Sequence, residues 1–149
     1  MSTDSIEKTI FLRAPRSRVW QALTDSGEFG NWFGVRFEAP FESGAQIKGR
    51  ITVPGYEDAL MEIFIEQLVP ESLFAYRWHP YAVDQAVDYS SEPTTLVEFR
   101  LADTAEGTSL TIVESGFDQL PPGRRSEAFR MNREGWTAQL TNIERYVTT

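Results

Sequence analysis

The chain has 149 residues, the size of one domain, and is 41% hydrophobic and 24% charged, which excludes wholesale disorder. Its 14 basic and 22 acidic residues leave a net charge of −8, so a nucleic-acid backbone or an anionic membrane surface would be repelled. The absence of cysteine excludes disulfides, thiolate nucleophiles and Cys-ligated metals, and a single histidine, His79, excludes any site needing two.

Ile6 to Arg13 alternates apolar and polar residues, which predicts a strand. Ala14-Pro15 changes the period. Pro15 suits the first turn of a helix carrying Val19, Trp20, Ala22 and Leu23. Thr24 to Gly27 ends that helix. Asp25 or Ser26 can then cap a second short helix with Phe29, Trp32 and Phe33. Ala45 to Val53 alternates as a strand up to the turn at Pro54-Gly55. Ala59 to Val69 follows, with Met61, Ile63 and Ile65 on one face, and Leu73 to Trp78 sets Phe74, Tyr76 and Trp78 on one face. Pairing Ile65 with Tyr76 and Ile63 with Trp78 puts both apolar sets together. Thr95 to Leu101 and Ser109 to Gly116 form a further hairpin. Pairing Phe99 with Ile112 places Leu101 opposite Leu110 and turns Glu114 inward beside Val97. A buried carboxylate needs partners, so Glu114 is then a hydrogen-bonded anchor or a ligand contact, with Arg77, Arg100 and Arg130 as candidate counter-ions; a register one residue off would place it in water instead. From about Ala128 to Val147, Phe129, Trp136, Leu140, Ile143 and Val147 form one helical stripe interrupted by Gly135, which is expected to face the sheet, its missing Cβ serving either close approach of helix and sheet or room for a ligand.

The element order predicts a single α+β domain over residues 1–149. It has about six or seven antiparallel strands, two short helices after the first strand, and one long C-terminal helix lying on one sheet face. The polar start, Met1 to Ser5, lacks the basic and apolar stretches of a secretory signal, and no run approaches a membrane span. Both point to a soluble cytoplasmic protein.

The motifs APRSRVWQALTD, Trp32-Phe33, LFAYRW, Ser115 to Phe117 and GWTAQLTNIERY occur in that order. Together they resemble the START-like or Bet v-type (SRPBCC) superfamily, and most closely the branch named after the activator of the heat-shock ATPase. The resemblance runs from about Ile6 to Tyr146. It implies a helix-grip fold: a curved sheet wrapped around the terminal helix, with an internal cavity that in many relatives holds an apolar or amphipathic small molecule.

On that fold the expected cavity wall is Trp32, Phe33, Ile63, Tyr76, Trp78, Phe99 and Trp136, with Glu114 as its polar contact. No catalytic residue, metal site or cofactor is assigned. His79, at a strand end on the face opposite Trp78, reads as a surface residue, no serine lies in a nucleophile elbow, and no phosphate loop is present. The leading reading is a non-catalytic small-molecule binder. The alternatives are a module that docks on a chaperone ATPase and a cyclase- or hydratase-like enzyme using Glu114 or His79. A homodimer is compatible with either binding role. Residues 80–93 lack a clean period and are long enough for a lid, with Tyr81, Val83, Val87 and Tyr89 available to pack. Arg124, Arg125, Arg130 and Arg133 form a basic patch expected to be solvated or ion-paired.

Overall fold

The computed structural model describes residues 4–57, 59–82 and 86–148. Strand β1 (Ser5–Leu12) leads into helices α1 (Arg16–Thr24) and α2 (Ser26–Phe33). Six strands follow: β2 (Val35–Phe37), β3 (Gln46–Ile51), β4 (Leu60–Val69), β5 (Leu73–Trp78), β6 (Thr95–Thr104) and β7 (Gly107–Ser115). A 3-10 turn at Phe117–Gln119 precedes helix α3 (Pro122–Thr148). The seven strands form one antiparallel sheet in the order β1-β7-β6-β5-β4-β3-β2. This is the α+β class expected from the element order and the helix-grip architecture implied by the resemblance.

Local chemistry explains the element ends. Pro15 sits at the N-cap of α1. Asp25 caps α2, its side chain accepting from the Glu28 amide at 3.0 Å. Gly34 closes α2 at φ 94, a left-handed conformation that costs glycine nothing, and its amide returns to the Gly30 carbonyl. Strand β2 escapes the sequence pattern because it has only three residues, too few to show alternation. Helix α3 begins six residues earlier than its apolar stripe, since Pro122 and the arginines after it form an exposed first turn. β6 and β7 each extend further toward their shared turn than the apolar alternation does.

Four of the predicted cross-strand pairs are present. Ile65 pairs with Tyr76, Phe99 with Ile112, Leu101 with Leu110 and Val97 with Glu114. One pleat therefore carries Ile63, Tyr76, Val97, Phe99, Ile112 and Glu114 to the face covered by α3. On α3, Trp136, Leu140, Ile143 and Val147 are buried. The core is dominated by aromatic rings, with Phe29 at its centre and Phe74, Tyr76 and Phe99 packed around it in edge-to-face or tilted contacts. No described helix is long and apolar enough to cross a membrane.

Candidate functional site: an aromatic cavity backed by a buried carboxylate

Glu114 lies at the inner end of β7, between Ile6 of β1 and Val97 of β6, and is 0% exposed. Two apolar cross-strand neighbours strip it of water. Two sources of donors replace that water. Trp78 and Thr95 are cross-strand partners at the ends of β5 and β6. Trp78 Nε1 donates to Oε2 at 2.8 Å, and the Thr95 hydroxyl donates to the same oxygen at 2.6 Å. Asn132 and Trp136 are one turn apart on α3, so both side chains reach the same point. Trp136 Nε1 donates to Oε1 at 2.8 Å, and Asn132 Nδ2 donates to the two oxygens at 3.0 and 3.1 Å. The network ties three strands to the long helix through one side chain.

None of the expected counter-ions takes part. Arg77 pairs with Glu66 and Arg100 with Glu98, because alternation turns both arginines to the opposite face of the sheet. Arg130 is exposed on α3, away from the stripe that carries Asn132 and Trp136. Burial pushes the Glu114 carboxyl upward from the usual range, and the hydrogen bonds from Thr95, Trp78, Trp136 and Asn132 oppose that push. Burial, joined by the negative charge of Glu114, also holds the Tyr76 phenol well above its ordinary value. The Tyr76 hydroxyl, on the same concave face, has no hydrogen-bond partner among the described residues.

A cavity of about 150 Å³ opens beside this network, lined by Phe33, Trp78, Asn132, Gly135, Trp136 and Gln139. That is the size at which an apolar hollow admits a benzene-sized molecule. Asn132, Gly135, Trp136 and Gln139 are spaced three, one and three residues apart, so one face of α3 supplies the wall. Gln139 Nε2 also donates to the Phe33 carbonyl at 2.9 Å, closing a helix end that would otherwise be an orphan acceptor and fixing Phe33 over the cavity. Phe33, Trp78 and Trp136 form a triangle of rings with centroids 5.8 to 6.1 Å apart.

The expected role of Gly135 in close helix–sheet packing is not met. A Cβ built there meets nothing within 4 Å, because Gly135 borders the cavity on the exposed side of α3 rather than the sheet.

A second hollow of about 410 Å³ adjoins the first, sharing Phe33, Trp78 and Asn132. Its walls include Ile51, Leu60 and Met61 on one side and Tyr81, Asp88 and Tyr89 of the 79–94 segment on the other. His79 belongs to this wall, with Nε2 3.1 Å from the Glu92 carbonyl. Of the residues expected to pack the segment, Val83 lies outside the described residues. Arg124 anchors the segment. Its guanidinium donates to Glu92 Oε1 at 2.9 Å and to the Tyr81 and Pro80 carbonyls at 3.0 Å each, and it stacks over the Tyr89 ring at 4.7 Å.

The expected wall divides into two sets. Phe33, Trp78 and Trp136 line the cavity directly, and Glu114 stands behind the two indoles. Ile63, Tyr76 and Phe99 are fully buried in the aromatic core beneath it. Trp32 points elsewhere, its Nε1 donating to the Ala22 carbonyl at 2.9 Å and tying α2 to α1. Asn132, Gln139 and Thr95 did not emerge from sequence reasoning, and Arg124 emerged only as one of the arginines expected to be solvated or ion-paired, which its pair with Glu92 bears out. The signal for Asn132 and Gln139 was their place on the Trp136 stripe, one turn before it and about one turn after.

Residues 13–148 match the family described as Activator of Hsp90 ATPase homolog 1-like protein. The chain belongs to that family. The match takes in both hollows and the whole of the Glu114 network. No curated protein matches the chain. Several solved structures share the fold of this chain. Protein MLL2253 from Mesorhizobium loti is 19% identical with a TM-score of 0.75, the alignment covering 95% of each chain. The Aha1 dimer from Colwellia psychrerythraea is 16% identical with a TM-score of 0.73, covering 96% of this chain and 95% of that one. DynU16, from the dynemicin biosynthetic locus, is 25% identical with a TM-score of 0.75. That alignment covers 98% of this chain but 48% of DynU16, so the present chain spans about half of it.

Proposed function

We propose that the protein binds a small apolar or amphipathic molecule without transforming it, in the cavity between α3 and the open end of the sheet. The observation that carries this reading is the hollow of about 150 Å³ walled by Phe33, Trp78 and Trp136, beside a larger cleft of about 410 Å³ that shares Phe33, Trp78 and Asn132 with it. Ligand sites have this composition, mostly apolar and aromatic walls with a few placed polar groups, and the larger cleft lies within their usual range of about 300–1,000 Å³. Binding is favoured over turnover by the use made of Glu114. Its two oxygens are taken up by donors from Trp78, Thr95, Asn132 and Trp136, which leaves them poorly placed to accept a substrate proton.

The test is a panel of fatty acids, flavonoids, sterols and alkylamines scored by tryptophan fluorescence, with native mass spectrometry of the purified protein. Saturable quenching that Gly135→Leu abolishes is the expected result. A panel with no response, together with a clean unliganded mass, would overturn the reading.

Membership in this family supports a second role, docking on a chaperone ATPase or pairing with a second copy. Phe11, 69% exposed on the edge strand β1, is an apolar side chain available for such a contact. Sedimentation of the protein alone and with the ATPase tests that role independently of the cavity.

A further inference from the structure

Glu114 is a buried carboxyl group that no cation pairs with among the described residues. Its hydrogen-bond partners are Thr95, Asn132 and the indoles of Trp78 and Trp136, all neutral. An indole N–H donates and never accepts. Oε2 faces Trp78 and Oε1 faces Trp136, so a proton on either oxygen would meet a donor. The four donors favour the anion and oppose the upward push of burial on this carboxyl group. Among the described residues lining the inner hollow there is no lysine or arginine; in the outer cleft Glu62 is paired with Lys48 at 4.0 Å, Asp88 adds negative charge, and Arg124 stands behind Tyr81 and Tyr89, paired with Glu92.

The two indoles that hold Glu114 also line the inner cavity, with Phe33 as the third ring. Their centroids are 5.8 Å apart, and each is 6.1 Å from that of Phe33. One atom can therefore lie within about 6 Å of all three, the range over which a ring attracts a cation. Donating the N–H to an anion enriches the indole ring in electron density and strengthens that attraction. An aromatic triangle with an uncompensated carboxylate behind it selects positive charge, and the same field disfavours a carboxylate ligand.

We propose that the inner cavity receives the cationic head of an amphipathic amine, a quaternary or methylated ammonium group. The head sits over Phe33, Trp78 and Trp136 in the field of Glu114, and an apolar tail extends toward Leu60 and Met61 in the outer cleft. This assignment rests on the small-molecule reading above and gives that molecule its charge.

The experiment compares choline with 3,3-dimethyl-1-butanol, which has nearly the same shape but carbon in place of the ammonium nitrogen. Both are titrated against the full chain by tryptophan fluorescence and calorimetry. Choline should bind at least ten-fold more tightly. Phe33→Leu removes one ring and leaves every Glu114 hydrogen bond in place, and it should weaken choline several-fold while leaving the alcohol nearly unchanged. Glu114→Gln, if it folds, should bring choline down to the affinity of the alcohol. Equal or tighter binding of the alcohol, or no saturable response to choline, would overturn the proposal. If apolar members of the ligand panel still saturate the cavity in that case, only the charge assignment falls. If nothing binds, the small-molecule reading falls with it.

Discussion

Replacing Glu114 tests whether the network is a structural anchor as well as a source of field. In Glu114→Gln one acceptor oxygen becomes an NH₂ group. Thr95 can rotate its hydroxyl and Asn132 can flip its amide, so each can accept from the new donor. The indoles of Trp78 and Trp136 cannot. Whichever way the Gln amide is turned, one indole N–H loses its acceptor. A buried donor left unsatisfied costs about 1–3 kcal/mol, against a total stability of about 5–15 kcal/mol for a domain. The variant should fold, with a melting temperature lower by roughly 2–12 °C. Glu114→Leu abandons all four donor groups together. At the same cost for each, the loss is about 4–12 kcal/mol, and that variant should be barely folded or unfolded. The pH dependence gives a separate check. Burial raises the folded-state pKa of Glu114 above its unfolded value of 4.5, so the folded chain takes up this proton at a higher pH than the unfolded chain does. The contribution from this group is then fully present below pH 4.5 and is lost as pH rises through the folded-state value. Because Gln does not titrate, the stability gap between wild type and Glu114→Gln isolates this term. Urea denaturation should show the gap widening as the pH is lowered from neutrality toward 4.5. A gap that narrows would mean that the donors outweigh burial, and a Leu variant as stable as wild type would refute the anchor role.

Gly135→Leu should leave stability unchanged or raise it by about 1 kcal/mol, because leucine is the better helix former and its Cβ meets no atom within 4 Å; a clear fall in melting temperature would show that the cavity is not open there. Arg124→Lys should free the 79–94 segment, since a single ammonium cannot reproduce bonds to Glu92, Tyr81 and Pro80 and the stacking on Tyr89. Loss of about one charged hydrogen bond, near 1.5–3 kcal/mol, predicts hydrogen exchange in that segment at least about ten-fold faster, with β4 to β7 unaffected. Equal protection in the two proteins would show that Arg124 does not hold it.

Several features were legible in the sequence because they depend on periods of two and about 3.6. The α+β class, the order of elements, the register of the β6–β7 hairpin and the burial of Trp136, Leu140 and Ile143 all follow from alternation and the helical stripe. The inward turn of Glu114 followed from the same register, since one pleat fixes the face of every second residue. What alternation cannot show is which side chains from distant elements converge on a point. The partners of Glu114 come from β5, β6 and α3, 18 to 36 positions away in the chain, and all proved neutral rather than cationic. Nor could pattern separate Trp32, which turns back to α1, from Phe33, which faces the cavity; the two are adjacent on one short helix, and only the packing of α2 against α1 and α3 decides between them. The position of Gly135 was decided the same way, because a missing Cβ fits close packing and open space equally well until the helix is docked on the sheet.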